Sequence, residues 1–172
     1  MSRARRLFFA LWPDDAVRHA LLHWQTHNLP GSVRWQHRAD LHMTLRFLGM
    51  VDPDRIDDLR RIGDDLPHES FGLVLDETGY WARPQVLWCG PSSPPGGLLS
   101  LHQALEGALA AEGWPVEQRP FRPHVTLARK VRQAGAYGPL LPVSWQVREL
   151  ALVESRAGQV PLYQPLHVWS LT

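Results

Sequence analysis

The chain has little that would tie it to a membrane, a disulfide scaffold or a long nucleic-acid duplex. It holds one cysteine in 172 residues, Cys89, so no disulfide can form within it. That fits a reducing compartment. Cys89 lies in the apolar run Val86-Leu87-Trp88-Cys89, which reads as core rather than as a nucleophile. No apolar stretch approaches the roughly 20 residues of a membrane-spanning helix. Arg3-Ala4-Arg5-Arg6 precedes the apolar run Leu7–Trp12, but Pro13-Asp14-Asp15 ends that run before it reaches signal-peptide length. A soluble, cytoplasmic protein is expected, with no membrane partner. There is no excess charge either. The chain carries 18 basic and 17 acidic residues, a net charge of +1. A protein that follows a duplex backbone shows a basic stripe, so extended duplex binding is disfavoured. A local basic pocket for one or two phosphates is not.

Length predicts one domain or two closely packed lobes, large enough to bury roughly 70% of its unfolded surface. Strand and helix patterns alternate. Leu7–Trp12 reads as a buried strand and Asp14–Asn28 as a helix, with Val17, Ala20, Leu21 and Trp24 on one face. Leu41–Leu48 reads as a strand. Asp54–Leu66 reads as a helix through Ile56, Leu59, Ile62 and Leu66. Phe71–Leu75 and Val86–Cys89 read as strands, with a turn-rich segment around Gly79 and Pro84 between them. Pro91–Gly97 reads as a loop joining two halves. Leu98–Glu112 follows as a helix with Gly113 as its C-cap. His124–Ala128, Val143–Val147, Leu150–Glu154 and Leu166–Leu171 complete the strands.

One tetrapeptide occurs twice. Leu41-His42-Met43-Thr44-Leu45-Arg46 and Pro123-His124-Val125-Thr126-Leu127-Ala128-Arg129 each contain His-x-Thr-Leu. In a chain of this composition a single copy is expected by chance on the order of 0.04 times, so two copies point to a duplication. Side chains alternate along a strand. His42 and Thr44 therefore share one face, and Met43 and Leu45 the other. His124 and Thr126 are opposed in the same way to Val125 and Leu127. If the copies meet about a pseudo-twofold axis, two imidazoles and two hydroxyls converge.

Those groups suit phosphoryl transfer. In-line displacement at phosphorus needs a base for the nucleophile and an acid for the leaving oxygen. Histidine serves as either near neutral pH. The threonine hydroxyls can donate to phosphate oxygens, and Arg129 and Arg46 can offset its charge. Arg122 is a weaker candidate of the same kind. No metal and no cofactor is required. Phe9, Trp35 and Tyr163 are candidates to stack on a base. His19, His23 and His27 recur at helical spacing and could ligate a metal, but a solvated helix face is the reading preferred. His102 and His167 read as packing residues. Spacing alone leaves open which histidine is acid and which is base.

The chain resembles the two-histidine (2H) phosphoesterases, and within them the RNA 2′,3′-cyclic phosphodiesterases, also called 2′-5′ RNA ligases. Besides the two motifs, Arg6-Leu7-Phe8-Phe9-Ala10-Leu11, Val86-Leu87-Trp88-Cys89-Gly90 and Tyr163…Trp169-Ser170-Leu171 carry the likeness. The resemblance implies one bilobal α+β domain over 1–172, a pseudo-twofold duplication. Two antiparallel sheets flank a central cleft, with helices on the outer faces. It implies that His42 donates the proton and His124 accepts one from water, with Thr44 and Thr126 holding the phosphate. RNA 3′ ends or nucleotides bearing a 2′,3′-cyclic phosphate are the implied partners, tRNA fragments among them, and a monomer is expected. Ligation of tRNA halves and a non-catalytic nucleotide-binding module are the competing functions.

Overall fold

The computed structural model describes residues 3–132, 135 and 142–172. β1 (Arg5–Leu11) leads into α1 (Asp15–Asn28). Asp14 caps that helix by accepting the Val17 amide at 3.0 Å, as its acidic start predicts. β2 (Arg34–Trp35) and a 3-10 turn at Arg38–Asp40 precede β3 (Met43–Val51). A second 3-10 turn opens α2 (Ile56–Asp65), and β4 (Phe71–Leu75), β5 (Glu77–Trp81) and β6 (Val86–Gly90) follow. Then come α3 (Gly96–Ala111), β7 (Val125–Arg129), β8 (Val143–Val147), β9 (Glu149–Ser155) and β10 (Tyr163–Ser170).

The strands are antiparallel throughout. The main sheet runs β10-β9-β1-β3-β7-β6-β5, and β2 pairs with β7; β4 and β8 form a separate ribbon. The α+β class holds, and the two expected strand groups are joined edge to edge. One hydrogen-bonded position links β3 to β7, Met43 opposite Val125. These are the second residues of the two motifs. The joint between the halves is therefore the duplicated tetrapeptide itself.

One face of the sheet carries the core. Leu7, Phe9 and Leu11 of β1 pack there with Met43, Leu45, Val125 and Leu127. The helices α1, α2 and α3 bring their apolar stripes to this side. α1 brings Val17, Leu21 and Trp24, α2 Ile56, Leu59 and Ile62, and α3 Leu98, Leu101, Leu105 and Leu109. Burying each such side chain contributes about 1.5–3 kcal/mol. The opposite face holds a smaller cluster of Phe8, Ala10, Ala151, Val153 and Tyr163. That face is left for the site.

Several expectations need correction. Glu77–Trp81 is a strand, not a turn region. Gly79 stands opposite Trp88, whose indole fills the space a Cβ would take. A glycine that admits an indole looks like a turn signal in sequence. Gly96 and Gly97 open α3 rather than closing the preceding loop. Gly113 does end that helix, at φ +83°. The Phe9 reading has the wrong parity. Phe9 is fully buried on the core face, 6.0 Å from Trp169, and no base can reach it. Its neighbour Phe8 faces the site.

Candidate active site

The Met43–Val125 pairing dictates the site. Extending that register one residue each way puts His42 opposite Thr126 and Thr44 opposite His124. All four point to the face away from the core, because Met43, Leu45, Val125 and Leu127 point into it and are at most 4% exposed. In a regular ladder, diagonal neighbours such as His42 and His124 stand about 7–8 Å apart. That is room for one phosphate between two imidazoles.

Each ring is held alike. His42 Nδ1 lies 2.7 Å from the Asp40 carbonyl, and His124 Nδ1 lies 2.8 Å from the Arg122 carbonyl. A carbonyl only accepts, so each Nδ1 carries the hydrogen. Both neutral rings therefore present an unprotonated Nε2. His42 Nε2 is 2.9 Å from Thr44 Oγ1. Both histidines lie one residue before their strands, which frees their backbones for these contacts.

Their surroundings differ. His42 is 8% exposed. It packs against Phe8 at 4.9 Å, edge-to-face against Tyr163 at 4.9 Å, and stacks on Trp12 at 6.2 Å. Burial pushes its pKa down from 6.5 to about 4, against the raising effect of the Asp40 carbonyl; the charges of Arg129, His124 and Arg18 lower it further. His124 is half-buried, with Trp81 edge-to-face at 4.6 Å. Burial also lowers its pKa; the Arg122 carbonyl opposes this and Arg129 adds to it. Both rings feel Arg129, so its charge lies near each.

A cleft of about 590 Å3 opens over this face. Thr44, His124, Thr126 and Arg129 line it, with Phe47, Trp81, Arg83, Arg119, Phe121 and Arg122 around them. His42 itself is not on the cleft wall; its Nε2 contacts the hydroxyl of Thr44, which is. The walls are cationic and aromatic, which matches a nucleotide better than an apolar ligand. Gly90 backs the second motif. A Cβ there would stand 2.7 Å from the Pro123 carbonyl oxygen and 3.6 Å from His124 Cα.

The other sequence candidates divide. Arg129 reaches the cleft and donates to Tyr163 Oη at 3.4 Å. Arg46 also lines the cleft, but it is corrected as a free phosphate contact. Its guanidinium is buried and bound to Glu106 and to the Pro115 carbonyl. Trp35 is corrected too. It is absent from the cleft wall, pairs with Ala128 in β2, and donates its indole N–H to Pro30 at 3.1 Å. Tyr163 touches His42 and Arg129 but is 9% exposed and absent from this cleft's wall, lining a separate cavity with Trp12 and Arg18, so it does not offer its ring to a base in the cleft. Trp81, Phe8 and Arg83 were missed. Trp81 was hidden in the unrecognised strand. Phe8 could have been found from alternation once Phe9 was assigned to the core. His102 stacks flat on Phe121 at 3.8 Å, and it also lines the cleft and lies 3.6 Å from Glu106, so it is more than the packing residue expected. His23 and His27 rings meet at 4.1 Å on α1. Among the described residues no three His, Cys, Asp or Glu side chains group as metal ligands, and no helix is long and apolar enough to cross a membrane.

The model of the 2′-5′ RNA ligase superfamily matches residues 13–159, which contain both motifs. The chain belongs to the 2′-5′ RNA ligase superfamily. A superfamily relative from Escherichia coli, named RNA 2′,3′-cyclic phosphodiesterase, is 36% identical over 175 residues, covering 100% of this chain and 99% of its own. One of the same name from Thermus thermophilus is 33% identical, covering 96% and 90%. Among solved structures, E. coli LigT in complex with 3′-AMP superposes with a TM-score of 0.89 at 34% identity, over 98% of this chain and 99% of that one. The superfamily thus includes full-length relatives of nearly the same size and fold as this chain.

Proposed function

We propose that this chain is a hydrolase that opens 2′,3′-cyclic phosphodiesters, at RNA ends or on nucleotides, to 2′-phosphates without a metal. The observation that carries the reading is the shared outward face of His42, Thr44, His124 and Thr126 around the Met43–Val125 joint. Phosphorus sits between the two Nε2 atoms. His124 Nε2 takes a proton from water, which attacks in line. The bond to O3′ breaks on the opposite side, and His42 Nε2–H protonates that oxygen. The products are a 2′-phosphomonoester and a 3′-hydroxyl. Thr44 turns its hydroxyl from His42 to the phosphate, joined by Thr126, and Arg129 offsets the charge.

His42 must be charged to donate, yet burial disfavours that form in the free protein. The substrate supplies the remedy. At about 4 Å and an effective dielectric of 20, a phosphate monoanion stabilises an imidazolium by about 4 kcal/mol, roughly a thousandfold in proton affinity. That returns His42 from about 4 to about 7. The donor is thus charged by the substrate it acts on.

Ligation is the same ring opening with a 5′-hydroxyl on RNA, such as a tRNA fragment, attacking in place of water, so that a 2′-5′ phosphodiester and a free 3′-hydroxyl result. The deciding experiment is incubation with 2′,3′-cyclic AMP in EDTA, followed by phosphorus NMR. A 2′-AMP product is expected, with turnover in His42→Ala and His124→Ala at least about 100-fold lower. Unchanged nucleotide, abolition by EDTA, or near-normal rates in either variant refutes the reading.

A further inference from the structure

Asp40 is a carboxylate in the protein interior that the chemistry above does not use. It is 4% exposed. Its oxygens take two backbone amides from the far end of the chain, Leu162 N–H on Oδ2 and Tyr163 N–H on Oδ1, each at 3.0 Å. Its own carbonyl accepts the His42 Nδ1 hydrogen at 2.7 Å. One residue therefore fixes both His42 and the start of β10. Burying a charge costs several kcal/mol unless its partners are well placed. Two amides from adjacent residues form a fork that a two-oxygen acceptor fits.

Tyr163, the residue so held, touches both halves. Its ring stands nearly perpendicular to His42, at 4.9 Å and 82°, and to Phe8, at 5.2 Å and 83°. Its Oη accepts from Arg129 Nη2 of β7 at 3.4 Å. Once Thr44 has turned its hydroxyl from Nε2 to the phosphate, the imidazole is hydrogen-bonded at Nδ1 alone and can swing about that bond. The tyrosine ring, with Phe8, blocks the swing. The hydroxyl end meanwhile steadies the arginine that faces the phosphate.

We propose that Asp40 and Tyr163 are positioning residues, Asp40 pinning Tyr163 in place and Tyr163 setting the plane of His42 and the reach of Arg129. This rests on the phosphodiesterase reading for its kinetic consequence, but not for its geometry. A misplacement of about 1 Å can cost about 100-fold in rate. Asp40→Ala is therefore expected to lower kcat at least about 10-fold, with KM changed less than about threefold. Asp40→Asn keeps one acceptor and is expected to recover most of that loss. Tyr163→Phe keeps the ring edge and drops the arginine contact, so KM rises while kcat holds within about twofold.

The test combines these kinetics with nitrogen-15 NMR of the imidazoles and a thermal melt of each variant. In the wild type His42 is the Nδ1–H form in one fixed plane; Asp40→Ala keeps the residue-40 carbonyl and with it that tautomer, so the expected change is exchange broadening and shifted His42 ring signals as the ring loses its fixed plane. A lower melting temperature with unchanged kcat and an unchanged His42 spectrum overturns the proposal, because that is what a merely structural aspartate gives. If Asp40→Ala does not fold, an unchanged KM in Tyr163→Phe overturns it instead. If the wild type turns over no cyclic nucleotide, the functional reading falls alone, and the His42 spectrum of Asp40→Ala still decides the positioning role.

Discussion

Binding of a phosphodiester should draw a proton into the protein. Free His42 is neutral at pH 7, since burial holds its pKa at about 4. A monoanion seated about 4 Å away offsets that by about 4 kcal/mol, so the bound imidazole titrates near 7. At pH 6.5 the free ring carries under about 1% charge and the bound ring more than half, an uptake of about 0.6–0.8 proton per site. The ligand should be 2′,3′-cyclic AMP, which stays a monoanion across this range, and the protein His124→Ala, which should hold it without turnover. Calorimetric titrations in buffers of differing ionisation enthalpy read the uptake as the slope of apparent binding enthalpy. A slope of zero at pH 6.5, with binding intact, would refute the reasoning that substrate charges the donor. So would proton release.

Three further outcomes follow from the same structure. Between pH 6.5 and about 4 the unfolded chain protonates His42 and the folded chain does not, so the unfolded state binds more protons and stability falls as pH drops through that window. The loss amounts to about 3 kcal/mol; urea melts of His42→Phe should show a visibly flatter pH dependence than wild type, and parallel curves would count against the buried neutral ring. Gly90→Ala forces a methyl against the Pro123 carbonyl and should cost about 1–3 kcal/mol while displacing His124, read as a lower melting temperature and a fall in kcat; a wild-type melt and rate would contradict that contact. Arg46→Ala removes the main cation from Glu106, which is 22% exposed and keeps His102 at 3.6 Å, and should destabilise by about 1–3 kcal/mol, whereas Arg129→Ala should leave the melt nearly unchanged and weaken substrate turnover; the reverse pattern would exchange their roles.

Most of the site is legible in the sequence, because it is a repeated, period-two pattern. His-x-Thr-Leu fixes which side chains share a face, and the two copies imply that the faces meet. What alternation could not supply was the joint. Only the Met43–Val125 register shows that the motifs pair directly. The helices α1, α2 and α3 were legible through their apolar stripes, with shifts at the ends where 3-10 turns and Gly96 intervene. β5 was not, because Gly79 admits the Trp88 indole from a partner strand, a tertiary reason that local sequence does not carry. Phe9 was misassigned because β1 is apolar on both faces and offers no alternation to read. Arg46 was misassigned because its partner, Glu106, is 60 residues away on α3. Asp40 drew no notice, since a single aspartate before a motif says nothing of amides at the other end of the chain.

A double-mutant cycle on hydrolysis of 2′,3′-cyclic AMP in EDTA tests the central claim most directly. If His42 and His124 act on one phosphorus atom as a pair, removing both should cost little more than removing either, because each is idle without the other. Losses that multiply, or a single variant that keeps most of the wild-type kcat/KM, would mean that the two imidazoles do not share a reaction.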